Sequence, residues 1–558
     1  MARTRVATTL VVSAALLAAC SGDRSSAPTA PTNSAGQVAP PAAAPKASFY
    51  AASRFAEQAS FGPAPPLIEE LRTKGFAQWT DEQLGLPPNL MDPGPTADLS
   101  KPTPLPPEIA NYPNWAWINA ALIAPDQLRR RVVWSLSQFV VASARTGDPY
   151  GHVQWINLLY RHAFGNYRDL LREATLHPHM AQFLNNDQNR PKSAECPHCA
   201  PNENYARELM QLFSIGVAKL NSDGTLVRDV QGRFVETYTQ RDVEELARVL
   251  TGWTYDPDPP NRPQRNWANW AKPMVPSTWP PERDSGSKVV LGRAFPAGQS
   301  AYKDLDDAID LLVTHPNAAP FVSTRLIQHL VKSEPSPAYV ARVAQVFRNN
   351  GSGQVGDLKA VVKAILLDDE ARRGDDPARS DRMDGKFREP FLHHMAFVRG
   401  LGCQRNFNNP DGTASWVFWR QQPFSPSSVF SFYAPTDRAP GSNLLAPEQK
   451  LVNASELSSR FGDPNSFRWN GPGQPNSSTR YVAAGCGIEA FSSAIARSPA
   501  AFIDLVSLRY FRGAMPPTLR SNLEQLIREA MGGQPDLDDV AMRMLGFALA
   551  TPYFGVIK

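Results

Sequence analysis

The residues best suited to chemistry lie in one short stretch, 202–213, reading Asn-Glu-Asn-Tyr-Ala-Arg-Glu-Leu-Met-Gln-Leu-Phe. At helical spacing Ala206, Leu209, Met210 and Phe213 form an apolar stripe. Asn204, Arg207, Glu208 and Gln211 repeat the same spacing on a polar one, with Glu203 a turn before Arg207. A row of amide, guanidinium and carboxylate groups can grip an anionic or sugar-like ligand, because Arg offers a two-pronged donor and Glu can accept or relay a proton. The same residues also fit a plain structural role: Asn202 as a helix cap and Glu203–Arg207 as an i, i+4 ion pair.

Just upstream, Asn185-Asn186-Asp187-Gln188-Asn189 is dense in amides. Amide and carboxylate oxygens suit Ca²⁺, and Asp187 with Glu203 would supply charge, but the spacing is not that of an EF-hand loop, and hydrogen-bonded turns use the same residues. No metal is assigned by this pattern, and no cofactor. His177 and His179 flank a proline, a spacing that suits capping or core hydrogen bonding better than zinc. His393 and His394 point about 100° apart on a helix. Gly351-Ser-Gly-Gln-Val-Gly356 matches a dinucleotide-loop spacing but follows a helix where such a site needs a strand, so it reads as a turn between helices. No GxSxG elbow, Walker A loop or HExxH occurs.

Cys196-Pro197-His198-Cys199 has the spacing of a thiol-disulfide oxidoreductase, yet it precedes a helix by several residues and lacks a βαβ setting. A structural disulfide, half a zinc site and a redox motif all remain open for it. Cys403 and Cys486 flank a long polar segment, where a disulfide would close a large loop. Aromatic residues offer a second kind of surface. Trp253, Tyr255, Trp267, Trp270 and Trp279 stand among prolines and could stack a sugar or a Pro-rich partner, or anchor their own loop onto the helices.

The elements that must position these residues are helical. Hydrophobic residues make up 42% of the 558 and charged residues 20%, an ordinary globular balance with a core to bury. The 57 Lys+Arg against 53 Asp+Glu leave a formal charge of +4, too small for a polyanion-binding surface, so nucleic acid is not expected as a partner. Amphipathic periodicity predicts helices at 126–144, 167–175, 205–214, 240–251, 316–331, 337–347, 357–367, 387–399 and in a set over 488–549. The 240–251 helix opens on a Thr239-x-x-Asp242 capping box. The 52 prolines, about twice the usual ~5%, concentrate in irregular connections. Two of these are long: 254–287, rich in Pro and Trp, and 402–476, rich in Pro, Ser and Asn. The expected fold is mainly α, one large helical domain over 48–558 with two insertions.

The first nineteen residues read as a signal peptide, with Arg3 and Arg5, an apolar run over 6–17 and a small-residue end before Cys20. Leu17-Ala18-Ala19-Cys20 resembles a bacterial lipobox, which implies cleavage before Cys20 and acylation of it; several acyl chains hold a protein on a membrane where one does not. Ser21, rather than Asp, after that Cys favours the outer membrane. Residues 20–47 then form a Pro/Ala/Ser tether.

Several segments together resemble the bacterial family called domain of unknown function 1800. They are Arg54-Phe-Ala-Glu-Gln-Ala-Ser-Phe-Gly-Pro63, the 201–213 segment with Gly216, Tyr238-Thr-Gln-Arg-Asp-Val243 through Thr251-Gly-Trp253, Asp284 to Gly292, Pro423-Phe-Ser-Pro-Ser-Ser-Val-Phe430 and Ala550-Thr-Pro-Tyr-Phe554. The resemblance implies a large, mostly helical, exported bacterial protein, often encoded beside a sulfatase-like family called domain of unknown function 1501, which becomes an expected partner. The chain departs from the pattern at Arg283, where a His is expected before Asp284.

Two functional readings follow. One is a membrane-anchored lipoprotein that binds or assembles an exported polymer or protein partner, using Asn202, Asn204, Gln211, Trp253, Trp267 and Trp270. The other is an extracytoplasmic enzyme, such as a metal-assisted hydrolase, centred on Glu203, Arg207 and Glu208, with Asp242 and Asp284 from the following segments. The tether and the missing catalytic motifs favour the first.

Overall fold

The computed structural model describes residues 45–97, 107–187, 189–257, 268–381, 383–403, 421–469, 486–533 and 535–558. Cys20, Gln188 and Trp267 therefore lie outside the described residues. From Phe49 onward the chain is mainly α, with only two- and three-residue strands among the described residues. Many of its helices are opened by the caps their sequences supply. Ser48, Asp148, Asn166, Asn202, Ser300, Ser336 and Asp357 each accept a backbone N–H at a helix start, and Thr239 and Asp242 form the reciprocal capping box. Helix Pro337–Arg348 returns through the glycine-rich turn to helix Leu358–Leu367, which packs against it.

One apolar core runs from Ala52 to Phe554. At its centre aromatic rings from distant segments meet edge to face or tilted: Trp134 on Phe391 at 4.7 Å, Trp117 on Phe424 at 4.8 Å, and Phe61 on Phe391 at 5.8 Å. Phe424 belongs to the second insertion, so the described part of that insertion is built into the core.

This packing explains where the elements differ from the periodic pattern. The helix expected over 126–144 ends at Ser137. Beyond it Ala144 donates its N–H to the Phe424 carbonyl at 2.8 Å and Ser143 Oγ donates to the Pro426 carbonyl at 2.8 Å. The second insertion thus takes the Ala144 N–H that a longer helix would have used. Within that insertion a helix, Ala454–Trp469, forms despite Pro464 and packs on Leu537–Leu549; a Cβ on Gly546 would sit 2.2 Å from the Phe461 carbonyl oxygen. Its helical period is hidden in sequence by its polar composition. Likewise Phe387, expected to start a helix, lies with Lys386 in a strand paired antiparallel with Val556–Ile557, and the helix begins at Pro390.

The first insertion contributes a short pairing, Trp253↔Pro276 and Thr254↔Val275. Between helices Glu203–Gln211 and Gln240–Val249 the chain makes a small bridged loop, with Ala218 opposite Glu236, Leu220 opposite Leu226 and Arg228 opposite Phe234. That loop and the second insertion stand over the C-terminal end of the Glu203–Gln211 helix.

Candidate functional site

The Glu203–Gln211 helix divides its polar residues between two places. At its start Asn202 Oδ1 accepts the Asn204 N–H at 2.9 Å, while the Asn202 N–H goes to Asn189 Oδ1 at 2.7 Å. Asn204 Nδ2 reaches Asn185 Oδ1 at 3.4 Å, and Asp187 Oδ2 accepts from the Tyr255 hydroxyl at 2.7 Å. The amide-rich run thus tethers the helix start. Glu203 Oε2 accepts from Arg207 Nη2 at 2.7 Å and from Gln240 Nε2 at 2.9 Å, and Arg207 also donates to Gln240 Oε1 at 3.0 Å. Both charges are about one-third exposed, so the pair fastens this helix to the next with little electrostatic gain.

Asp242 accepts the Thr239 N–H at 2.8 Å and the Leu291 N–H at 2.7 Å; burial would raise its pKa, but these bonds outweigh it and hold the carboxyl below its usual range. Asp284 pairs with Arg248 at 2.7 Å, and Arg283 reaches Asp304, which Lys288 also contacts at 3.1 Å. Glu208, on the polar stripe, is drawn inward. It is only 6% exposed, its Oε2 finds no partner among the described residues, and burial pushes its pKa up against the opposing charge of Arg207. Glu203, Arg207 and Gln240 are therefore brought together, whereas Asp242 and Asp284 each serve a separate contact.

The aromatic residues of the first insertion mostly face inward. Trp253 is 1% exposed and meets Tyr302 edge on at 5.2 Å. Trp270 is half-buried and covers Gly151 so closely that a Cβ there would lie 2.5 Å from its ring. Trp279 stays open beside Arg190 and Glu282 at a cavity of about 640 Å³. His177 caps helix Pro178–Phe183, and His179 Nε2 lies 3.4 Å from His152 Nδ1. Among the described residues no group of three or more His, Cys, Asp or Glu is placed to hold a metal ion. Cys196 is bonded to Cys199, and Cys403 to Cys486.

At the other end of the signature helix lies a cleft of about 400 Å³. Gln211 and Leu212 form one wall with Gly216, Val217 and the bridged loop; Phe321, Arg325 and His329 of helix Ala318–Leu330 form another; Val429, Phe430 and Tyr433 of the second insertion close the third. Two segments singled out in sequence, 202–213 and 423–430, meet here. The chain turns into the cleft at Gly216, whose φ of 69° favours glycine and whose absent Cβ would sit 2.9 Å from the Phe321 ring. Across from it Ser431 also adopts a left-handed φ of 63° and donates to Gln138 Oε1 at 3.1 Å, fixing the turn that presents Phe430 and Tyr433.

The lining is apolar with a few convergent polar groups, the usual character of a small-molecule or segment site. Its rim keeps Val217, Leu226, Phe234 and Phe430 each between 44% and 51% exposed. On the floor the His329 ring lies parallel to Phe139, with centroids 6.1 Å apart. Burial, reinforced by Lys386, Arg131 and Arg325, pushes its pKa well down, so this imidazole is neutral at ordinary pH. Beneath it, Tyr433 donates to Glu389 at 2.8 Å, Trp134 Nε1 donates to the same carboxylate at 2.8 Å, and Lys386 pairs with Glu448 at 3.0 Å. Arg325, Gln138 and His329 are the cleft groups that sequence reading missed. No motif marks them: Arg325 and His329 lie on helix Ala318–Leu330 and Gln138 at the end of helix Gln127–Ser137, and it is the second insertion, about a hundred or more residues later, that brings them to one cleft.

Residues 54–556 match the model of the family described as Protein of unknown function (DUF1800), and the chain belongs to that family. No curated protein and no solved structure matches it. No helix among the described residues is long and apolar enough to cross a membrane.

Proposed function

We propose that the chain is an extracytoplasmic, membrane-tethered binding protein that holds an apolar ligand or partner segment in the cleft between the Glu203–Gln211 helix, the Ala318–Leu330 helix and the second insertion. The observation that carries this is the cleft itself: about 400 Å³, with apolar walls and apolar side chains left exposed on its rim. Exposed apolar groups that surround a concavity lose water on binding, at roughly 25 cal/mol per Å² covered, so such a site gains affinity from area alone. The binding reading is favoured over the enzymatic one because Glu203 and Arg207 are engaged with each other and Asp242 with its helix cap.

The tether rests on Leu17-Ala18-Ala19-Cys20 and the Pro/Ala/Ser stretch after it. In this reading Cys20 is lipidated and the helical body stands off a membrane, outer rather than inner, where a sulfatase-like partner would be exported beside it. Cys20→Ala should move the protein from the membrane fraction to the soluble fraction and remove the acyl mass from its first residue. Retention in the membrane would sink the tether. For the cleft, the uncharged dye N-phenyl-1-naphthylamine should fluoresce on binding, and Phe430→Asp with Phe234→Asp should abolish the signal. An unchanged signal in that double variant would place the dye elsewhere and overturn the binding site.

A further inference from the structure

Resting on the cleft reading, we propose that the cleft takes an apolar chain ending in a carboxylate, with Arg325 receiving the anion and the walls receiving the chain. Arg325 stands on the cleft wall, where its Nη1 donates to Gln328 Oε1 at 2.7 Å and its guanidinium carbon lies 5.1 Å from the centroid of Phe321. Those contacts orient the group without neutralising it. Among the described residues no carboxylate is within ion-pair distance of Arg325. Burial pushes its pKa down to about 10, which leaves it a cation at neutral pH.

The surrounding charges sharpen this. Arg131 and Lys386 lie behind the floor, but there they face Glu389 and Glu448, and Lys386 is paired at 3.0 Å. Arg325 has no such counterpart, so the surplus positive charge at the cleft is its own. A guanidinium in an apolar concavity has lost much of its hydration, and an arriving carboxylate restores that loss through two parallel charge-assisted bonds. Neutral His329 adds no competing charge and offers its ring to the chain.

The walls distinguish an acyl chain from a peptide. Phe139, Leu212, Val217, Phe321, Val429 and Phe430 give apolar contact without side-chain hydrogen bonds, and Gln138 and Tyr433 beside them are already bonded to Ser431 and Glu389, which leaves few groups for a peptide's amides. A bound peptide would bury amides that need partners, each costing free energy if left unpaired, whereas a hydrocarbon chain asks for none. One cation and a long apolar wall match one carboxylate and one chain.

The test is isothermal titration of the full chain, stripped of lipid, with dodecanoate and with 1-dodecanol. Dodecanoate should bind saturably at one per chain and roughly tenfold or more tighter than the alcohol, the scale of one hydrogen bond to a charged group. Arg325→Gln should remove that difference, and Arg325→Lys should retain part of it. Equal affinity for acid and alcohol in the unaltered protein, which needs no variant to fold, overturns the anion site but leaves the apolar cleft standing. Failure of both to bind overturns the cleft reading as well. Tighter binding of a short peptide ending in Leu-Phe carboxylate, displacing dodecanoate, would overturn the acyl-chain occupant.

Discussion

Arg54 Nε donates to the Lys558 carbonyl oxygen at 2.9 Å, joining residues 504 positions apart. The same guanidinium reaches Asp375 at 2.9 Å, and one turn along the helix Glu57, 2% exposed at its side chain, pairs with Arg388 at 2.9 Å and with Arg512. Arg388 in turn lies 3.9 Å from the centroid of Phe554. The two ends of the helical body are thus locked through buried charge. Burial alone would raise the Glu57 pKa, but Arg512 and Arg388 together outweigh it and hold the carboxyl below its usual range.

Removing that carboxylate leaves two buried guanidinium groups without their partner. Glu57→Gln should therefore destabilise the protein by about 3–5 kcal/mol, the cost of breaking a buried pair from one side. Urea unfolding measures it. A loss below about 1 kcal/mol would mean that the network does not close the fold, since that is the range of exposed pairs.

Acid should weaken the protein through its buried imidazoles. Burial, with the charges of His179 and Arg161, pushes His177 down to about 3, and burial pushes His179 down to about 4. Their unfolded values are near 6.5, so between pH 6.5 and 4 the unfolded state binds more protons and stability falls as pH falls. Each unit of difference is worth about 1.4 kcal/mol, so the two together withdraw several kcal/mol across that window. Thermal midpoints at pH 7, 6, 5 and 4 should show the decline, and His179→Gln should make it shallower. A flat profile above pH 5 would contradict burial of neutral imidazoles.

The Cys403–Cys486 bond spans 83 positions, a long loop for one cross-link. Restricting the unfolded chain over such a loop contributes up to about 4–5 kcal/mol in the chain-entropy account. Cys403→Ser with Cys486→Ser should lower the urea midpoint accordingly, while the pair Cys196→Ser with Cys199→Ser, closing a separation of 3, should shift it far less. Equal shifts would argue that the loop-length account fails here.

Gly216 tests the cleft wall. A side chain there must adopt a φ of 69° and displace the Phe321 ring, which a Cβ would approach to 2.9 Å. Gly216→Ala should cost about 1–3 kcal/mol from strain, and should also reduce naphthylamine dye binding by moving Phe321. Unaltered binding with lowered stability would show that Phe321 is not part of the binding wall.

Much of the fold was legible residue by residue because the information is local. Capping residues such as Thr239 and Asp242, the stripe Ala206, Leu209, Met210 and Phe213, and the glycine turn after Arg348 depend on spacings of three to eight residues, and each forms as its pattern implies. The bland reading of Asn202, Glu203 and Arg207 as cap and ion pair was legible for the same reason. The early stop at Ser137 was not, because Ser143 and Ala144 bond to residues about 280 positions later.

By itself, then, the sequence determined the helical class, the caps and the family, since each is written in neighbouring residues. Only the tertiary structure decided which polar groups were buried, paired or brought together. Glu208 was drawn into the interior, Arg54 and Glu57 became the clasp on the chain end, and Gln211 arrived opposite Arg325 and His329. Burial and charge balance at such places are sums over segments hundreds of residues apart, and no local spacing carries them.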